Sequence, residues 1–169
     1  MKSFAIAAAV ASAFAAQAFD SAEWLGKREM LDHEAERLRA AYSNCVASLK
    51  VPAENITVPI ENHPDGSVKS KVFAEKAQFF VDEGLVWGEG VKVSQMDESG
   101  REVGSVSAQN CVVDKQTKSG WAEGSAKVVY GNTVVEGDGV YFSFAEEYIK
   151  ITSKTSITSK ELKFGGFKL

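Results

Sequence analysis

Apolar residues recur at helical spacing between Asp20 and Leu49. Proline is absent from this stretch, and Asp20 and Glu23 are spaced as an N-terminal capping pair. The apolar positions step alternately by four and three residues, which places Leu31, Ala35, Leu38, Tyr42, Cys45 and Leu49 in one narrow stripe. The pattern predicts an amphipathic helix over residues 19–50. Two coverings for the stripe stand open: the protein's own sheet, which so short a stripe favours, and a partner helix.

The next segment, residues 51–66, has the composition of an extended linker. It holds all three prolines of the chain, Pro52, Pro59 and Pro64, and it closes on the turn signal Asp65-Gly66. Within it Ile56, Val58 and Ile60 alternate with other residues, so part of the linker is a candidate edge strand, where proline is tolerated.

After Ser67 the pattern changes to short alternating stretches rich in Val, Ile, Thr, Phe and Tyr, which predicts a β domain over residues 67–169. The glycines, aspartates and asparagines between these stretches mark the turns. The candidate strands are Val68–Phe73, Ala77–Val81, Leu85–Ser94, Val103–Val113, Trp121–Tyr130, Thr133–Phe144, Tyr148–Ser153 and Ser156–Phe164.

The strands contain an internal repeat. Val86–Val93 matches Val135–Phe142 at an offset of 49 residues, and Ala122–Ala126 has the same rhythm of small residues. Val72–Ala77 resembles Val106–Cys111 at an offset of 34. Repeated strand pairs bury faces that one pair leaves open, and glycine within a strand marks a bulge or a bend. The predicted fold is therefore mainly β: a curved or twisted antiparallel β-jelly roll of repeated strand pairs, preceded by one long amphipathic helix.

Alternation within the strands predicts the residues that face the interior. By parity Leu85, Trp87, Val91 and Val93 share one face of a strand. The full set predicted to line the interior is Leu85, Trp87, Val91, Val93, Val140, Phe142, Phe144, Ile149, Ile151 and Ile157. These residues either fill a core, which is the commoner arrangement, or line an apolar slot between splayed sheets.

The N-terminus has the three regions of a signal peptide. Lys2 is followed by an Ala-rich apolar stretch from Phe4 to Ala16, and Ala16-Gln17-Ala18 is a small-x-small cleavage site. We expect export and cleavage after residue 18. The alternative is a retained anchor, for which the stretch is short, so no stable membrane span is expected. In an oxidising compartment the remaining cysteines, Cys45 and Cys111, are candidates for one disulfide, with two separate buried thiols as the alternative.

No constellation of residues indicates catalysis. The two histidines, His33 and His63, are far apart in sequence, the cysteines lack metal-site spacing, and no nucleophile elbow or phosphate-binding loop is present. We therefore expect no enzyme activity, cofactor or metal. The net charge of −4 and the absence of a dense basic run also argue against nucleic acid as a partner.

The spacing of Ala-x-x-Ala, then Gly-x-Gly-Val, then a strand ending Ile151-Thr152-Ser153 with Ser159-Lys160-Glu161-Leu162 beyond it, resembles the OstA-like β-jelly-roll proteins of lipopolysaccharide export, the LptA and LptC group. The resemblance covers about Ser67 to Phe164. It implies a periplasmic or cell-envelope protein that passes the acyl chains of lipopolysaccharide or another acylated lipid along an apolar interior, and that pairs its sheet edges with similar envelope proteins. The long charged helix is not part of that pattern. The alternative is an exported structural or interaction domain that assembles through sheet edges and the helix stripe.

Overall fold

The structure, a computed structural model, describes residues 21–159. The predicted signal peptide and the last residues of the predicted final strand lie outside this range. One helix, α1, precedes seven strands. The elements are α1 Ser21–Ala47, β1 Ala53–Asn62, β2 Val68–Phe80, β3 Leu85–Met96, β4 Glu102–Asp114, β5 Ser119–Tyr130, β6 Thr133–Ser143 and β7 Tyr148–Ser159.

All seven strands form one antiparallel sheet in the order β1-β2-β3-β4-β5-β6-β7. Each strand pairs with the next along the chain through a short turn, such as the two residues Gly131 and Asn132 between Tyr130 and Thr133. The predicted fold class, a mainly β curled antiparallel sheet preceded by a helix, is confirmed. The chain achieves it with a single meandering sheet whose edges are β1 and β7.

The strands are longer than their sequence patterns indicate. The predicted strands Val68–Phe73 and Ala77–Val81 belong to one continuous β2, which ends one residue earlier at Phe80. The two predicted strands that begin at Tyr148 and Ser156 are joined in β7. Most of the proline-containing segment 51–66 is β1, and its alternating Ile56, Val58 and Ile60 do lie in an edge strand. An edge strand tolerates Pro59 because one side of its backbone has no ladder to complete.

In strands β2 to β6 the alternation of inward- and outward-facing side chains is interrupted near the middle of the strand. In β3, Val86 and Val91 both belong to the interior core although their positions differ in parity, so Glu89 and Gly90 both point outward. Two successive residues on one face bend a strand. Neighbouring strands do the same at the same level, and we call these outward residues the corner row: Glu75 and Lys76, Glu89 and Gly90, Gln109 and Asn110, Glu123 to Ser125, and Asp138 and Gly139.

The helix α1 packs against the outer face of the sheet. Leu31, Ala35, Leu38 and Cys45 are 0–4% exposed, and they form a second core with Leu85, Trp87, Val112, Trp121 and Tyr141 of the sheet, the helix-covered cluster. The predicted docking of the stripe on the protein's own sheet is thus confirmed. A partner helix has no access to this stripe while the helix stays docked.

Ion pairs at the rim of α1 fix its position on the sheet. Arg37 Nη2 lies 2.5 Å from Oδ2 of the buried Asp114, and Lys150 Nζ lies 2.8 Å from Asp32 Oδ1. Arg37 also donates to Glu34, and this hydrogen bond is the main reason that the pKa of Glu34 lies below its ordinary value. Charged groups that are half-buried and hydrogen-bonded contribute more to orientation than isolated surface pairs do.

Candidate lipid-binding interior

The concave side of the sheet carries the larger core, which we call the interior cluster. It consists of small and medium-sized apolar side chains from five successive strands, β2 to β6. Its buried members, all 0–8% exposed, are Val72, Ala74, Ala77, Val86, Val91, Val93, Val106, Ala108, Cys111, Val113, Ala122, Ala126, Val128, Val135, Val140 and Phe142. The centre of the interior is therefore filled by the protein's own side chains.

The structure brings most of the predicted interior residues together. Val91, Val93, Val140 and Phe142 are buried in the interior cluster, and Phe144, Ile149 and Ile151 pack against it while partly exposed. Ile157 pairs with Val135 across the ladder and so lies on the same face, with 45% of its surface exposed.

Leu85 and Trp87 are the exceptions, and the prediction that they share a face with Val91 and Val93 is wrong. Both lie in the helix-covered cluster on the opposite side of the sheet. The reason is the corner row: two outward residues, Glu89 and Gly90, separate the two halves of β3, so equal parity corresponds to opposite faces.

Some interior residues lay outside the predicted set. Val72, Val106 and Val113 are at most 2% exposed in the interior cluster, and each stands in a stretch whose alternation had already indicated a strand. To assign each of these residues to the interior or the outer face of the sheet, one needs the position of the corner row, and alternation alone does not give that position.

The interior cluster is incompletely shielded from water at its two edges, next to β1 and β7. The partly exposed residues that pack against the interior cluster are Ile56 and Ile60 of β1, Phe144 after β6, and Ile149 and Ile151 of β7. Together with Ile157 we call the residues on the β7 side, Phe144, Ile149, Ile151 and Ile157, the β7 margin. This margin is an apolar strip on an edge strand that has no neighbour beyond it within residues 21–159.

One ion pair connects β1 to a distant turn. Lys118 Nζ, in the turn between β4 and β5, donates to Glu61 Oε1 over 2.7 Å, and Lys69 Nζ approaches the same oxygen to 3.3 Å. Burial acts to raise the pKa of Glu61, but the hydrogen bonds and charges of the two lysines outweigh it and hold that pKa below its ordinary value. In the sheet order β2 and β3 separate β1 from the strands that this turn connects. The contact therefore requires the sheet to curl strongly.

The predicted disulfide between Cys45 and Cys111 is not formed: both are free thiols. Cys45 lies in the helix-covered cluster and Cys111 in the interior cluster, so the two side chains belong to opposite faces of the sheet. Burial raises the pKa of the Cys45 thiol to about 11, and that of Cys111 rises too for the same reason. Thiols with raised pKa values are poor nucleophiles at neutral pH.

This arrangement predicts the outcome of a thiol titration. We expect the native protein to react slowly with an aromatic disulfide reagent at neutral pH, because both thiols are buried and protonated. In denaturant without reductant, two thiols per chain are expected to react at once. A denatured, unreduced chain that shows no reactive thiol would contradict the structure and restore the disulfide.

The groups considered for chemistry lie apart. His33 is an exposed helix residue whose Nε2 lies 4.0 Å from Glu29 Oε1. His63 Nε2 lies 3.1 Å from the carbonyl oxygen of Met96. Among residues 21–159 no three His, Cys, Asp or Glu side chains are grouped as metal ligands would be. Within the same range no helix is both long and apolar enough to cross a membrane.

Comparison with known proteins gives one kind of likeness. No family model matches the sequence, and no curated protein matches it. Among solved structures, the chain is similar to LptH, the LptA homologous periplasmic component of the lipopolysaccharide transport device from Pseudomonas aeruginosa, with 11% sequence identity and a TM-score of 0.45. The match covers 53% of this chain and 73% of that one. A likeness of this degree does not assign the chain to a family.

Proposed function

We propose that this chain is a non-enzymatic, exported lipid-handling protein that binds an acyl chain along the β7 margin. The observation that carries the proposal is the incomplete cover of the interior at that edge. Ile149 and Ile151 are partly exposed and Ile157 is 45% exposed, although all three lie on the face of the buried cluster. The signal-peptide pattern of the first 18 residues and the OstA-like spacing of the strands support export and lipopolysaccharide as the acylated ligand.

The filled centre of the interior favours a position of the acyl chain at the edge of the sheet. Phe142 and Val140 are at most 1% exposed, so a ligand has no room among them unless the packed side chains of the interior cluster move apart. Along the β7 margin the same apolar face is open to water. Ile149 and Ile151 lie near one end of β7 and Ile157 near the other, and eight residues of extended strand would span about 26 Å at about 3.3 Å per residue, which is a length that suits a chain of methylenes. Each methylene that the margin removes from water contributes about 0.8 kcal/mol.

A substitution pair on β7 tests the proposal. Ile157→Asp adds a charge to the margin, whereas Thr158→Asp adds the same charge one residue later, on the opposite face of the same exposed strand. Crosslinking to lipopolysaccharide that carries a photoreactive acyl chain is the measurement. We expect Ile157→Asp to bind at least tenfold more weakly than the parent, because an acyl chain would have to desolvate the carboxylate, and Thr158→Asp to bind as the parent does.

Both variants should keep the circular dichroism spectrum of the parent, since both positions are exposed. Equal crosslinking by the parent and Ile157→Asp would reject the β7 margin as the acyl site. Failure of the parent itself to crosslink would reject lipid handling altogether.

Assembly through the sheet edges is the second candidate, and a difference between the two edges favours it. β1 is protected by Pro59 and by irregular pairing between Pro59 and Asn62. β7 has no proline from Tyr148 to Ser159, and its exposed half contains several β-branched residues. Sedimentation of the lipid-free protein distinguishes the candidates: dimers that dissociate in the edge variant Thr155→Pro indicate assembly, and a monomer at all concentrations excludes it.

A further inference from the structure

An open groove crosses the outer side of the sheet along the corner row. It has a volume of about 680 Å³ and takes lining residues from every strand from β2, with Glu75, to β7, with Lys154 and Ser156. A second groove of about 440 Å³ shares Ser125 and Asp138 with the first and continues to Trp121 and to Arg39 of α1. We call the two together the corner groove.

Glycines keep the corner groove open. Gly90 and Gly139 have φ of +61° and +67°, a conformation that suits glycine. A Cβ at Gly139 would collide with Thr152 Oγ1 and lie 3.3 Å from the edge of the Trp121 ring, while one at Gly90 would lie 2.6 Å from a carboxylate oxygen of Glu75. The two Gly-x-Gly units, on β3 and β6, therefore each contribute to the floor of the corner groove, with Gly90 and Gly137 in the first groove and Gly139 in the second.

The side chains around that floor are polar and mutually oriented. Ser125 Oγ donates to Asp138 Oδ1 over 2.7 Å, and Lys154 Nζ lies 3.0 Å from the other oxygen of Asp138. Lys127 Nζ lies 3.7 Å from Glu136 Oε1. Carboxylates and amines nearly balance in the groove, so its charge favours neither a polyanion nor a free cation. Closely spaced donors and acceptors of this kind match the hydroxyl groups of a polyol.

The length of the groove specifies the shape of its ligand. Six neighbouring strands contribute to it, and five intervals of about 4.8 Å between strands give about 24 Å. On β5, where the second groove approaches α1, one edge of the largely buried Trp121 ring lies beside these polar groups, and the guanidinium carbon of Arg39 lies 5.6 Å from the ring centroid. We propose that the corner groove binds an oligosaccharide, laid across the strands. The site lies on the face opposite the interior cluster, so this proposal does not rest on the binding of an acyl chain.

Titration of the ¹⁵N-labelled full chain with oligosaccharides tests the site. The probes are maltohexaose, chitohexaose and the acyl-free oligosaccharide released from lipopolysaccharide by mild acid. We expect at least one of them, at millimolar concentration, to shift amide signals of the corner groove in a saturable way. The blocking variant is Ser125→Tyr, at an exposed position shared by both grooves. Its control is Thr57→Tyr, at an exposed position of β1 outside them.

Ser125→Tyr should weaken binding at least tenfold, Lys154→Ala should weaken it less, and Thr57→Tyr should leave it unchanged. Lys154 is a second exposed site, so its variant tests the groove even where the tyrosine disturbs folding. Ile157→Asp should bind the acyl-free probe as the parent does, which separates this proposal from that of the β7 margin. The proposal fails if no probe shifts the groove signals, or if Ser125→Tyr and Lys154→Ala both bind like the parent.

Discussion

Replacing Gly120 by alanine is expected to destabilise the protein by about 1–3 kcal/mol, the usual cost of inserting a methyl group into a filled core. Gly120 is buried in β5 directly opposite Phe142 of β6. A Cβ there would collide with Cζ of Phe142, and it would lie 2.8 Å from Cε1 of that ring and 2.9 Å from the carbonyl oxygen of Val112. The ring has little freedom to move, because it is 1% exposed and packs against Phe144 with 5.5 Å between ring centroids.

Thermal unfolding followed by circular dichroism measures this effect, with Gly26→Ala as the matched control. Gly26 lies in α1, and a Cβ built on it meets no atom within 4 Å. The control should gain about 0.5–1 kcal/mol, because alanine loses less backbone freedom than glycine in a helix. For a chain of this size each kcal/mol corresponds to about 2–4 °C in the melting temperature. If Gly120→Ala melts no lower than the parent, Phe142 does not lie over Gly120 as described.

The helix and its packing could be predicted closely from the sequence. Apolar residues at alternating steps of four and three, from Leu31 to Cys45, define a face whatever lies opposite, and the structure buries that face. The positions of the strands after Ser67 could also be predicted, because alternation and turn residues are local signals. What local signals do not give is the joining of two short stretches into one bent strand, as in β2 and β7.

The candidate site was harder to predict for a physical reason. Alternation assigns a residue to a face only while the strand stays regular, and the corner row breaks that regularity in the middle of β3. Parity predicts one face for all four apolar residues of β3, but only Val91 and Val93 lie on the interior side, whereas Leu85 and Trp87 lie beneath the helix. The glycines that mark the break were visible in sequence, yet they indicate a bend, a bulge or a close approach equally well. The disulfide was wrong for a related reason, since its cysteines lie on opposite faces.

Phe142→Asp is expected to have the largest effect of any substitution proposed for this chain. The side chain is 1% exposed in the middle of the interior cluster. Removing its ring costs about 3–5 kcal/mol, and leaving an unpaired carboxylate in its place adds several more. Stabilities of natural domains are about 5–15 kcal/mol. We therefore expect the variant to be largely unfolded at neutral pH, in contrast to Ile157→Asp at the β7 margin, where the charge stays in water.

The pH dependence of the Phe142→Asp variant provides a second measurement. Burial favours the neutral acid, so the pKa of the new carboxyl is raised in the folded state. Its penalty is then complete at high pH and is relieved as the pH falls through the folded and then the unfolded pKa. Circular dichroism from pH 8 to pH 5 should show the folded fraction of Phe142→Asp rising, whereas Phe142→Leu should stay folded and melt below the parent by an amount that does not change with pH. A Phe142→Asp protein that melts with the parent would mean that water reaches the centre of the interior. The acyl chain would then have an open path between the two halves of the sheet rather than a track along its edge.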